Sequence, residues 1–360
     1  MTGAPPRILL GHLAAFGDCL YASALTRQIK EDFPGCHLTW AIATPYRSIV
    51  EGNPFVDAIW EVPMPRAQAV ANGWRAFLAE AKRRHAAGEF DIAYFTQVPP
   101  DNLQNFDGTV RASIFHGYPR PVTVPVTPIL RLPPEDIDRV KRFAEEHGLA
   151  RYKHVVLFEC SGLSGQSFVT QPFALATATA LLRERDDCCF IISSSEPLTT
   201  AVPGIIDGSA LRFRENAELT KYISAFVGCS SGISWLTTSD WAVQRPTIQL
   251  LRRATSVYAS MVHDAEHFGL PTDHIIEMTE CTPAHLCACL QAVMDGPLDA
   301  ARRRFHEQIP VVHQFYFNTF FIPLLKRGEI RKASSSLAHV LRRYGLRTVT
   351  ETIKATFAEL

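Results

Sequence analysis

The sequence predicts an α/β protein made of two Rossmann-like halves in tandem. Three observations lead there. Short apolar runs alternate with stretches at helical spacing, the pattern of βαβ units and a parallel sheet. That pattern runs once over about residues 1–130 and restarts near residue 150. The length, 360 residues, suits two domains.

Taken in order, Arg7–Leu13 reads as a strand bounded by the small residues Ala14, Ala15 and Gly17. A helix follows from Asp18 to about Phe33, with Leu20, Ala24, Leu25 and Ile29 near helical spacing and Pro34-Gly35 as its close. His37–Ala43 and Ala58–Val62 read as strands, the second announced by Asn53-Pro54. A helix is expected from about Arg66 to Ala87, stopped by Gly88, and a strand over Asp91–Thr96. The stretch from Gly117 to Pro134 is rich in proline, lacks helical period and marks the region of a boundary. Pro133-Pro134-Glu135-Asp136 then opens a helix that stops at Gly148, since proline and acids suit a first helical turn.

The second half repeats the scheme. His154–Phe158 is a strand, Phe173–Glu184 a helix and Cys188–Ser193 a strand. A helix over Glu218–Ala225 and a short strand over Phe226–Gly228 come next. Ser230-Ser231-Gly232 opens a helix to about Val243, Pro246–Leu251 is a strand, and Thr282–Met294 a helix. The expected domains are 1–135, 150–300 and a helical extension over 301–360 that packs back on the first.

Lys and Arg number 36 and so do Asp and Glu, which disfavours a dedicated nucleic-acid binder. No apolar run reaches the ~18–20 residues of a membrane span. The start of the chain lacks the basic stretch, apolar run and cleavage site of a signal peptide, so a cytoplasmic protein with mostly reduced cysteines is expected.

In an open parallel sheet, ligands bind beyond the carboxyl ends of the strands. Three loops lie there. The first runs from Gly11 and His12 to Gly17 and Asp18, where glycine lets backbone approach a ligand. Asp18 reads as a helix N-cap, as a general base taking a proton from an acceptor hydroxyl, or as both. The second loop, Cys160 to Gln166, contains Gly162, Ser164 and Gly165. The third contains Ser230, Ser231 and Gly232. Backbone N–H groups and hydroxyls at such strand-to-helix turns suit a phosphate or diphosphate, although any tight turn also needs small residues. Glu196, after the Ser193–Ser195 run, reads as a contact for a sugar or ribose hydroxyl or as a solvated loop acid.

Several of these pieces occur in a known order. Arg7-Ile8-Leu9-Leu10, Phe16-Gly17-Asp18, Ser23-Ala24-Leu25 and Asn53-Pro54-Phe55-Val56-Asp57 resemble the start of the heptosyltransferase family, glycosyltransferase family 9. Ala225-Phe226-Val227-Gly228 through Gly232, and Arg245-Pro246-Thr247-Ile248-Gln249-Leu250, resemble its second half. The resemblance spans about residues 7–295. It implies a GT-B fold: two Rossmann-like domains whose parallel sheets face across a cleft, with C-terminal helices. The first domain would hold the acceptor and the second a nucleotide-diphosphate sugar. Transfer would be inverting and would use no metal or other cofactor, with Asp18 as the base.

The sequence also departs from that family. Ser230 stands where the family has Asp, and Trp235 where it has His. The second loop lacks the family's lysine, and Arg214, Lys221, Arg252 and Arg253 are the cations that could replace it. These departures motivate an alternative: a catalytically reduced GT-B protein that binds a nucleotide or glycan, or serves as an assembly partner. A nucleotide-sugar epimerase is a third reading.

Other signals point to packing. Cys281, His285, Cys287 and Cys289 match no standard zinc spacing and suit an amphipathic helix, so no metal site is assigned. His263 and His267 lack the Glu of the zinc-protease motif and read as surface helix. Cys188-Cys189 reads as core.

From Arg302 onward Lys and Arg number 11 against 4 Asp and Glu, so the neutral total conceals a basic tail on an acidic body. Phe315–Phe321 is densely aromatic, and Ser334–Tyr344 and Thr348–Ala358 read as helices. The tail is read either as a helix pair packed on the first domain or as a peripheral contact with an anionic membrane, where a lipid-linked acceptor would lie.

Overall fold

The computed structural model describes residues 4–64, 70–162, 165–200, 202–309 and 316–358. The chain divides into two compact units, Met1–Arg131 with Val311–Leu360, and Leu132–Pro310. The expected helix start near Arg66 lies outside the described residues.

Unit 1 contains β1 (Arg7–Gly11), α1 (Phe16–Asp32), β2 (His37–Ala43), β3 (Ala58–Val62), α2 (Val70–Ala86), β4 (Ile92–Phe95) and α3 (Val110–Phe115). The strands pair in parallel in the order β3-β2-β1-β4. β1 is central, and Ile8, Leu9 and Leu10 are fully buried, which explains its unbroken apolar run.

Unit 2 begins with α4 (Pro134–Glu146), β5 (His154–Glu159), α5 (Gln171–Leu182), β6 (Cys188–Ser193), β7 (Ile205–Asp207) and α6 (Glu215–Leu219). It continues with β8 (Ala225–Gly228), α7 (Gly232–Leu236), β9 (Thr247–Leu251), α8 (Ser256–Ala259), α9 (Met261–His267), β10 (Ile275–Thr279), α10 (Pro283–Asp295) and α11 (Leu298–Phe305). Its six strands are also parallel, in the order β10-β9-β8-β5-β6-β7. The sheet is covered on both faces. Val156 and Phe158 join one core with residues of α5 and α10, whereas Val155 and Leu157 join another with residues of α4 and α6.

Some expected elements differ. The helix expected over Glu218–Ala225 covers only Glu215–Leu219, because Ser224 already enters the sheet: its N–H donates to Val155 O at 2.8 Å and its hydroxyl accepts from Val155 N at 3.0 Å. The helix expected to reach Val243 ends at Leu236. There the hydroxyls of Thr237 and Thr238 bond back to the carbonyls of Ser234 and Trp235, a local alternative to continued helix. β7 and β10 are strands beyond those that the apolar pattern predicts.

The tail forms α12 (Ile322–Lys326) and α13 (Ile330–Ala358). α13 is broken at Gly345, whose φ of 80° is left-handed, so two helical stretches result as the sequence suggests. The tail belongs to unit 1. Phe106 lies 4.2 Å from the Phe320 ring, centre to centre, and its carbonyl accepts from Ser336 Oγ at 2.6 Å. α11 and the residues up to Pro310, by contrast, belong to unit 2.

Candidate functional site

The strand orders locate the crevices. In each sheet the first strand has its successor on one side and a later strand on the other: β1 lies between β2 and β4, and β5 between β6 and β8. The loops leaving β1 and β5 therefore start at topological switch points, where ligands of open α/β sheets bind.

In unit 1, the loop after β1 is fixed from both neighbouring strands. Gln97, just past β4, accepts from Leu13 N at 3.0 Å and Ala14 N at 2.9 Å. From the β2 side, Trp40 Nε1 donates to His12 O at 2.9 Å, and Ala43 N to Leu13 O at 3.1 Å. His12 is buried, with Nδ1 3.0 Å from Thr96 Oγ1 and Nε2 without a partner. Burial drives its pKa down to about 3, so the ring is neutral at physiological pH.

This loop presents the start of α1. The N-cap is Ala15, not Asp18; Asp18 is the third helical residue and accepts from the Ala15 N–H, the position from which a carboxylate can reach back over the first turn. The expected N-cap at Asp18 is thus moved to Ala15, because the helix begins at Phe16, two residues before Asp18. Desolvation pushes Asp18 up to about 6, against the opposing pull of the Arg111 charge and the Ala15 N–H. It retains partial exposure. Gly17 is likewise half-exposed, and Phe16 sets its ring edge-on to Tyr46 at 4.7 Å.

In unit 2, the loop after β8 is organised by Glu159, the last residue of β5. Its buried carboxylate accepts from Cys229 N at 3.2 Å, from Ser234 Oγ at 2.6 Å and from Ser231 Oγ. Gln249 on β9 accepts from Ser230 N at 2.9 Å. Gly228 admits this arrangement, because a Cβ there would collide with Gln249 and Ser234. Ser230 is buried, has φ of 53°, and donates its hydroxyl to Ala259 O at 2.5 Å, so its N–H and hydroxyl are both engaged inside the fold. Ser231 and Gly232 are half-exposed.

In the loop after β5, Gly162 lies against Cys229, where a Cβ would come 3.0 Å from the sulfur. Gly165 is exposed, with φ of 70°. Ser164 lies outside the described residues. Glu196, after β6, is exposed, and its N–H donates to Ser194 Oγ at 3.3 Å.

Topology separates the four candidate cations. Arg214 is held against the buried Asp136 of α4. Lys221 precedes β8, at the opposite edge of the sheet, and pairs with Glu218 at 2.6 Å. Arg252 and Arg253 follow β9 at the carboxyl edge. Arg253 donates to Thr279 Oγ1 at 3.1 Å, while Arg252 is exposed and its N–H donates to Gln166 O at 2.9 Å, tying it to the loop after β5.

The residues weighed as metal ligands divide between core and surface: Cys289 is buried, whereas His267 and His285 are exposed. Burial pushes the Cys281 and Cys289 thiols up to about 12, and His285 meets the Phe305 ring edge-on. His263 Nε2 lies 3.1 Å from Ile309 O. All nine cysteines are free.

Sequence reasoning missed Gln97, Arg111 and Glu159. The position of Glu159 immediately after an apolar strand and before Cys160 was the available signal: an acid at a buried strand end needs donors, and the serine-rich loop supplies them.

No family model and no curated protein matches this chain. Solved structures do. A family 9 glycosyl transferase from Veillonella parvula superposes with a TM-score of 0.59 and 11% identity, over 80% of this chain and 97% of the other. E. coli ADP-heptose lipopolysaccharide heptosyltransferase II superposes with a TM-score of 0.53 and 14% identity, over 80% of this chain and 98% of the other. The fold is GT-B, as the sequence resemblance implies.

Proposed function

We propose that this chain transfers a sugar from a nucleoside-diphosphate donor to a hydroxyl of a glycan or lipid-linked saccharide, inverting the anomeric centre and using no metal. The observation that carries the reading is Asp18: a partly exposed carboxylate at a switch point, with its pKa raised to about 6. A base of that strength remains ionised at neutral pH and accepts a proton more readily than an ordinary aspartate.

Asp18 takes the proton of the acceptor hydroxyl as that oxygen attacks the anomeric carbon. The bond from that carbon to the diphosphate breaks in the same displacement, which inverts the centre and releases a nucleoside diphosphate. Unit 2 would receive the donor at the loops after β5 and β8. The Ser231 and Gly232 turn, Gly162, Gly165 and Arg252 are assigned to the diphosphate, whose developing charge needs preorganised donors. Ser230 supports that turn from inside the fold rather than touching the donor. Glu196 is assigned to a sugar or ribose hydroxyl. Because Arg252 and backbone N–H groups supply the positive charge, the reading assigns no metal.

One observation favours a second reading. With Ser230 engaged internally and Trp235 buried, neither residue that replaces a family Asp or His offers a polar group to a ligand. A protein that binds nucleotide without turnover would fit that. Incubation with a panel of nucleotide sugars, with and without saccharide acceptors, separates the readings. Acceptor-dependent release of nucleoside diphosphate supports transfer. Binding of nucleoside diphosphate without release supports the second reading, and altered sugar from donor alone supports epimerisation.

A further inference from the structure

Among the described residues, four large apolar side chains are exposed, and three lie on the tail: Leu325 at 44%, Ile330 at 63% and Leu346 at 69%. Single exposed apolar residues are ordinary, but three on one short segment are not. Their surroundings are basic. Lys326, Arg331 and Arg342 are exposed and carry no ion pair among the described residues. The other Lys and Arg residues from Arg327 to Arg347 are engaged: Arg327 and Lys332 with Glu329, Arg347 with Glu351, and Arg343 with the buried Asp107; Lys354, further along the same helix, is exposed.

Helical geometry orders the groups that lie on α13 before its break at Gly345; Leu325 and Lys326 end α12, and Leu346 follows the break. On α13, Ile330, Leu337 and Leu341 fall on one stripe, and Arg331 and Arg342 on the stripe beside it. Ala333, Ser336 and Val340 form the buried face. The helix therefore packs by one side, and on another it carries the exposed Ile330, the half-buried Leu337 and Leu341, and the unpaired Arg331 and Arg342 beside them.

We propose that this outer face of the C-terminal helices docks on an anionic lipid surface. Leucine and isoleucine side chains enter the headgroup boundary, and the flanking cations meet lipid phosphates. The anionic surface supplies the charge that Lys326, Arg331 and Arg342 lack within the fold. A neutral protein groove would leave those three cations unmatched. The inference does not depend on the proposed transferase activity, since it concerns the tail alone.

The test is flotation of the full chain with vesicles of phosphatidylcholine, with and without phosphatidylglycerol. Binding is expected only to the phosphatidylglycerol vesicles and is lost near 1 M salt, where the Debye length is about 3 Å. Each cation near an anionic leaflet contributes about fivefold, so the triple variant K326Q/R331Q/R342Q should bind roughly a hundredfold more weakly. The variant L325S/I330S/L346S should also detach, with its circular dichroism and melting temperature unchanged. Equal binding to both vesicle types, no binding to either, or a dimer in vesicle-free solution that the apolar variant abolishes would each overturn the proposal.

Discussion

Arg343, from the last helix of the chain, donates to the Asp107 carboxylate at 2.8 Å, and the two side chains are only 6% and 1% exposed. Thr109 and Ser113 complete the shell around Asp107. Breaking one side of such a pair leaves an uncompensated buried charge, at a cost of about 3–5 kcal/mol. Arg343→Met should therefore lower unfolding stability in urea by that amount, and adding Asp107→Asn should recover most of it.

The same pair predicts an acid limit. Burial alone would raise Asp107, but the charges of Arg343 and His116, with its hydrogen bonds, outweigh burial and hold it below its ordinary 3.8. A depressed carboxylate contributes stability above that ordinary value and loses it as pH falls through the folded one. The wild-type advantage over the double variant should thus persist at neutral pH and shrink below about pH 4, as read from urea midpoints at each pH.

His12 should not titrate between pH 5 and 8. Its folded pKa is driven to about 3 by burial, so the unfolded chain takes up protons first on acidification. Stability from this group is present above 6.5 and declines as pH falls below it. An imidazole resonance that shifts with a midpoint near 6.5 in the folded protein, observed by NMR and assigned through a His12→Phe variant, would show that the ring is not closed off from solvent.

Glu159 is predicted to act on donor binding through the loop it holds. Glu159→Ala removes the acceptor for Cys229 N, Ser231 and Ser234. Leaving buried donors unpaired costs about 1–3 kcal/mol of stability. Calorimetric titration should show weaker nucleoside-diphosphate binding, while Glu196→Ala, at an exposed loop, leaves stability unchanged.

The parts of the fold with strong periodicity were legible in the sequence. β2, β3 and β6 begin and end where their apolar runs do. β7 has three residues, too few for periodicity to register, and β10 carries Glu277 in its centre, an acid that its apolar pattern does not announce. Glu277 is tolerated there because it accepts from Ser260 Oγ and from the N–H groups of Met261 and Val262. The candidate loops were legible because glycine and serine mark strand-to-helix turns. Their anchors were not: Gln97 and Glu159 act across strands far away in sequence, and only pairing order brings them to the loops they hold. For the same reason the sequence offered four cations, and the sheet topology left Arg252 and Arg253 at the right edge.

Asp18 should be a liability for stability. Its folded pKa, about 6, lies above its ordinary 3.8, so the protonated form is favoured by folding and ionisation opposes it. Stability from this group is present at low pH and lost as pH rises through 6. Asp18→Asn should gain about 1–3 kcal/mol at pH 8, read from thermal or urea unfolding, and the gain should vanish below about pH 4.

The most direct test of the account is the rate of acceptor-dependent nucleoside-diphosphate release by Asp18→Asn and Asp18→Ala against pH. With Asp18 as the base, wild-type kcat/KM rises with pH through a midpoint near 6, and both variants lose about 10²–10⁴-fold in kcat while still binding nucleoside diphosphate. Turnover by folded Asp18→Ala at the wild-type rate, with the same midpoint near 6, would contradict it.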